Sequence, residues 1–89
     1  MIQSFADKDS RAFFEGKRVR RLERVAGPLV RKLTQLDEAD ELRDLASVPG
    51  NRLERLHTGE YSIRVNQQMR IVFRWTDEGP SHVKVEDYH

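Results

Sequence analysis

The chain has 89 residues, of which 37% are hydrophobic and 35% charged, with 16 basic and 15 acidic side chains and a net charge of +1. That is enough for one core and excludes a second, so residues 1–89 read as a single domain. The apolar fraction and near-zero net charge are wrong for disorder. No apolar run approaches the roughly 20 residues that span a bilayer, and the absence of cysteine removes disulfides and thiolate metal sites.

Taken in chain order, the elements are helices first and strands last. Met1 to Phe5 reads as a short strand, and the stretch to Asp9 turns polar too early for a signal peptide, which makes cytoplasm the expected compartment. Asp7 or Asp9 can cap a helix carrying Ala12, Phe13 and Phe14, and Gly16 is a natural stop. Residues 17–24 form a basic connection or a ragged helix. Gly27 and Pro28 open a clearer helix, with Val25, Leu29, Leu33 and Leu36 at helical spacing and Val30 widening the stripe. Residues 37–40 are a break or a cap. A short helix with Leu42, Leu45 and Ala46 ends at Pro49-Gly50-Asn51.

After Asn51 the hydrophobic period changes to two. Arg52 to His57 is a predicted strand, with a bulge possible because Leu53 and Leu56 do not alternate cleanly. Thr58-Gly59-Glu60 is a tight connection. Tyr61, Ile63 and Val65 alternate with Ser62, Arg64 and Asn66. Ile71, Phe73 and Trp75 alternate with Arg70, Val72 and Arg74. Residues 76–81 make a further turn, and Val83, Val85 and Asp87 alternate with His82, Lys84 and Glu86. The predicted fold class is α+β: two or three N-terminal helices on one face of an antiparallel sheet of four to five strands.

The charge is unevenly placed. Residues 1–35 carry nine basic and four acidic side chains, whereas residues 36–60 carry three and seven. The dense part, with Lys17, Arg18, Arg20 and Arg21, is either a solvated face or a dock for an anionic partner such as RNA. The alternation sets Arg64, Arg70 and Arg74 together on the sheet face opposite the helices, where they form a phosphate-sized patch or pair with Glu54, Glu60 or Glu86. Arg70, at the start of its strand, is the best candidate for a site residue.

The ending Glu86-Asp87-Tyr88-His89 concentrates a carboxylate, a phenol and an imidazole. An imidazole of ordinary pKa, about 6.5, can exchange protons near neutrality. His57, before the tight turn, is a third candidate. For both histidines the competing reading is a solvated or terminal side chain. No phosphate-loop, dinucleotide or nucleophile-elbow motif is present, and three scattered histidines without cysteine give no zinc site. No cofactor or metal is expected.

Three strings together carry a family resemblance. They are Pro49-Gly50-Asn51-Arg52-Leu53-Glu54-x-Leu56, then Tyr61-Ser62-Ile63-Arg64-Val65-Asn66-x-Gln68-x-Arg70-Ile71-x-Phe73-x-Trp75, then Asp87-Tyr88-His89. With the opening Ile2-x-Ser4-Phe5, they make the chain resemble the HigB "killer protein" family of the RelE superfamily of toxin–antitoxin systems. The resemblance covers nearly the whole chain. It implies a metal-independent, ribosome-dependent endoribonuclease that cuts mRNA in the decoding site. It also implies a HigA-like helix-turn-helix antitoxin as partner, indirect DNA contact through that antitoxin, and no membrane role. By position, Arg70 would hold the scissile phosphate, while Asp87, Tyr88 and His89 would shape the site and move protons. His57 and Glu54 fall where relatives place a lysine and a histidine.

The chain departs from the family pattern in two places. The turn from His57 to Glu60 is shorter than the Gly-Asp-Arg-x-Gly turn of many relatives, and Met69 stands where a Trp is common. Either departure can alter activity or codon preference. The alternative functions are a catalytically weak co-repressor that binds an antitoxin, supported by the short turn, and a ParE-like gyrase inhibitor, opposed by the Asp-Tyr-His ending.

Overall fold

A computed structural model describes residues 1–87. Three α-helices and one 3-10 turn precede a sheet of four antiparallel strands. The helices are α1 (Lys8–Phe14), α2 (Ala26–Glu38) and α3 (Leu42–Ala46), with the 3-10 turn at Arg20–Val25. The strands β1 (Glu54–Arg55), β2 (Tyr61–Arg64), β3 (Met69–Thr76) and β4 (Gly79–Asp87) pair in sequence order. The α+β prediction holds.

Local chemistry sets the helix ends. The Asp7 carboxylate accepts from the Ser10 amide at 2.7 Å and starts α1, satisfying one of the orphan donors of the first turn. The Asp44 side chain accepts from the backbone amides of Asp40 and Glu41 at 3.1 and 3.0 Å and fixes the entry to α3. On α2, Leu29, Leu33 and Leu36 are buried, as their spacing demands. Val30 does not join them: it is 52% exposed and lies on the outer side of the helix. The stripe is therefore narrower than predicted.

The core lies between the helices and one face of the sheet. Leu22, Leu29, Leu33, Leu36 and Leu45 from the helical layer meet Ile63, Ile71, Phe73, Val83 and Val85 from the strands. Tyr61 stacks beside Phe73 with ring centroids 6.2 Å apart, extending that face along β2 and β3. Ser10 is fully buried on α1, and its Oγ accepts from the Val85 amide at 2.9 Å, tying α1 to β4.

Residues 3–6 run parallel to β4 and complete its outer edge. The Gln3 amide donates to Pro80 O, the Ala6 amide to Val83 O, and the Val83 amide to Ser4 O, at 2.7–3.0 Å. The predicted strand at Met1–Phe5 is thus an added edge segment, bridged at Phe5 and Val83. Three local predictions need correction. The strand predicted at 52–57 shrinks to Glu54–Arg55. The irregularity lies instead between β3 and β4, where the register shifts between Val72 and Arg74 and His82 takes φ 52. The turn predicted at 76–81 is shorter, because β4 already begins at Gly79. No helix among the described residues is long and apolar enough to cross a membrane.

Candidate nucleic-acid cleavage site

The open face of the sheet is built by period-two alternation. Because Ile63 and Ile71 pair across β2 and β3 and face the core, their neighbours Arg64 and Arg70 point the other way and are themselves direct cross-strand partners. Glu86 of β4 continues the same row. Like charges directly opposite one another destabilise a sheet. A sequence that keeps two guanidinium groups there gives up local stability for something else.

Arg70 differs from its neighbours in depth. It is only 7% exposed, whereas Arg74 is exposed and Arg64 half-buried. Its Nε donates to Ser62 Oγ at 2.9 Å, and its Nη2 donates to the backbone carbonyl of Arg52 at 2.9 Å. Glu54 Oε1 stands 3.8 Å from Nη2, and its carboxylate is half in solvent. The two neutral acceptors fix the plane of the guanidinium. That seat suits a group that must meet a planar pair of anionic oxygens.

Around Arg70 the surface is concave. A cleft of about 380 Å³ is lined by Arg52, Glu54, Arg64, Asn66, Gln67 and Arg70. On the other side of Arg70, a smaller depression of about 120 Å³ has Leu56, Ser62, Val72, Glu86 and Asp87 on its walls. A broad groove of about 630 Å³ follows along the same face, between the turn at Thr58–Glu60 and Arg74, Trp75 and Lys84. Lys84 bridges Glu86 at 2.9 Å. That hydrogen bond, with further help from Glu60 and Asp7, raises its pKa above the ordinary 10.5.

The predicted site residues are therefore distributed as follows. Arg70, Arg64 and Glu54 share one cleft, and Asp87 reaches the depression that adjoins it. Arg74 lies farther along the face, in the broad groove. His57 is exposed in the β1–β2 turn, between Leu56 of the depression and Thr58 of the groove. Tyr88 and His89 lie outside the described residues. The basic segment lines none of these three hollows. Lys17 pairs with Glu15 at 3.5 Å, Arg21 with Asp9 at 2.8 Å, and Arg18 with Glu23, while Arg20 is exposed.

Both departures from the family pattern acquire a place. Met69 is 6% exposed and belongs to the core, so it replaces a larger side chain on the helix side of the sheet and not in the cleft. The short turn is closed by the Leu56 amide donating to Glu60 O at 2.7 Å and the Gly59 amide donating to Leu56 O at 2.9 Å. Among the described residues, no group of three or more His, Asp or Glu side chains is arranged to hold a metal ion.

Two participants were not visible as site residues in the sequence. Ser62 reads there as an ordinary outward position of β2, and Arg52 as the first residue of a predicted strand. Ser62 is 1% exposed and holds Arg70 through its hydroxyl; Arg52 holds it through a main-chain carbonyl. Only the Pro49-Gly50-Asn51 turn signal hinted that the backbone there is unusual.

Comparison with known proteins agrees with this architecture. A sequence model of the family described as RelE-like toxin of type II toxin-antitoxin system HigB matches residues 3–89. Toxin HigB-1 of Vibrio cholerae is 42% identical over 82 residues, covering 86% of each chain. An uncharacterized protein of Haemophilus influenzae is 33% identical over 63 residues, covering 67% of this chain and 62% of its own.

Proposed function

The chain belongs to the HigB-like family of RelE-like toxins of type II toxin–antitoxin systems, and from that premise we propose that it is a ribosome-dependent endoribonuclease that cuts mRNA in the decoding site. The observation that carries this reading is the Arg70 seat: a nearly buried guanidinium, oriented by Ser62 and Arg52, opening onto a cleft with Arg64. Membership in a type II family implies an antitoxin partner. A HigA-like helix-turn-helix antitoxin, with DNA contact through it, is the reading that the resemblance supports.

The chemistry is an in-line transesterification. A ribose 2′-oxygen attacks the adjacent phosphorus, the bond to the 5′-oxygen breaks, and the products are a 2′,3′-cyclic phosphate and a 5′-hydroxyl. One group takes the 2′-OH proton and another protonates the leaving 5′-oxygen. Arg70 binds the non-bridging oxygens and stabilises the charge that grows on them in the phosphorane. Tyr88 orders the phosphate or the leaving oxygen, and His57 and His89 are the proton carriers in either order. Arg64 and Arg74 hold the flanking phosphates along the open face, and Glu54 leaves Arg70 when the phosphate arrives. The modest charge of +1 fits an enzyme to which the ribosome presents its substrate, with Lys17, Arg18, Arg20 and Arg21 docking on ribosomal RNA.

Mapping transcript ends after induction tests the reading. New 5′-hydroxyl ends inside translated frames, lost when translation is blocked, are the expected result. Ends that persist without translation, or no new ends at all in cells arrested by the protein, would overturn it.

A further inference from the structure

We propose that Asn51 and Arg52 are positioning residues for the cleavage site: Asn51 locks the turn, and Arg52 acts through its backbone carbonyl rather than its charge. The inference rests on the reading of Arg70 as the phosphate-binding group, and it concerns what holds that group in place.

The turn from Pro49 to Arg52 does more than stop α3. Gly50 has φ 87 and Arg52 has φ 47, so two of three successive residues adopt the left-handed conformation. Glycine enters that region freely, but a long L side chain does so at a cost that the surroundings must offset. What they hold in place is a pair of adjacent carbonyls. Asn51 O accepts from the Arg64 backbone amide at 2.6 Å, and Arg52 O accepts from Arg70 Nη2 at 2.9 Å. The two arginines that face each other across β2 and β3 are thus tied to consecutive carbonyls of one turn.

Asn51 is the anchor. It is fully buried, an unusual place for an amide side chain. Its Nδ2 donates to Leu45 O at 3.0 Å and to Gln35 Oε1 at 3.3 Å, and its Oδ1 accepts from Lys32 Nζ. Those partners come from α2 and from the end of α3. The turn is pinned to the helical layer on one side and holds the cleft arginines on the other. Every polar atom of that side chain is satisfied, which is the condition for a buried polar network to rigidify its neighbours.

The test separates backbone from charge. Arg52→Gly and Arg52→Val remove the same guanidinium, but glycine accepts φ 47 and a β-branched valine resists it. Steady-state cleavage of ribosome-bound mRNA should give a kcat for Arg52→Val about tenfold or more below that of Arg52→Gly, with KM alike for the two. Exchange of the Arg70 guanidinium protons, followed by nitrogen-15 NMR, should be faster in Arg52→Val than in Arg52→Gly. Arg52→Ala, unbranched but still carrying a Cβ, stands in if the valine variant does not fold, and should show a lower kcat and faster exchange than the glycine variant. Equal kcat and equal exchange in the glycine variant and its folded Cβ-bearing counterpart would overturn the proposal. Wild-type cleavage by Arg70→Ala with a clear exchange difference would instead overturn the phosphate-binding reading and leave the positioning of Arg70 standing.

Discussion

Ser62 and Arg70 sit diagonally across β2 and β3, and the Ser62 hydroxyl accepts the Nε–H of Arg70 at 2.9 Å in a place almost closed to water. The hydroxyl is small enough to leave room for the guanidinium between the strands. Removing it in Ser62→Ala leaves a buried donor of a charged group without that acceptor, a loss of about 1–3 kcal/mol in such settings. Cleavage by Ser62→Ala should fall roughly tenfold, with the fold intact by circular dichroism. Steady-state kinetics on ribosome-bound mRNA checks this.

Arg70→Lys should not rescue the site. Lysine keeps the charge but loses the planar fork that reaches Ser62, the Arg52 carbonyl and a phosphate together. We expect cleavage at least about a hundredfold below wild type, close to that of Arg70→Ala, while binding to ribosomes, measured by co-sedimentation, changes little.

The N-terminal edge segment is held by a close approach. A Cβ on Gly79 would lie 2.5 Å from the Met1 carbonyl oxygen, and Gly79 has φ 125. Gly79→Ala should therefore push residues 1–6 off β4 or strain the turn before it. A lower melting temperature and faster amide exchange at Gln3 and Ala6, both of which donate into β4, are the expected results.

Stability at high pH depends on two lysines with opposite signs. Lys84 has a folded-state pKa raised above 10.5 by its hydrogen bond to Glu86, so its contribution is fully present below 10.5 and is lost as pH rises through the folded value. Lys32 is lowered, first by burial and then by Arg31, so its neutralisation favours the fold as pH approaches 10.5 from below. Denaturant titrations across this range should show the alkaline loss of stability weakened in Lys84→Gln and steepened in Lys32→Gln.

The legible part of the fold was the part governed by period. Leu29, Leu33 and Leu36 announce their buried face, the alternation through Tyr61, Ile63, Ile71 and Phe73 announces the sheet, and Asp7 and Asp9 announce a helix start that the Ser10 amide settles on Asp7. Periodicity assigns a face but not a depth. It set Arg64, Arg70 and Arg74 on one side without revealing that Arg70 alone is buried. Val30 shows the converse failure, since an apolar residue at the edge of a stripe stays exposed when no neighbouring element covers it. The register shift between β3 and β4 leaves no mark in the sequence, because His82 interrupts the pairing through its backbone angle and not through its residue type. The clamps on Arg70 were hidden for the same reason: a carbonyl aimed by φ 47 at Arg52 leaves no mark in side-chain pattern.

The most direct test uses purified ribosomes carrying mRNA in the decoding site, with mass analysis of the cut ends. Wild-type protein should release fragments ending in a 2′,3′-cyclic phosphate and a 5′-hydroxyl, and Arg70→Ala should release none. Equal cleavage by the two proteins, or no cleavage by a wild-type protein that arrests growth, would contradict the account.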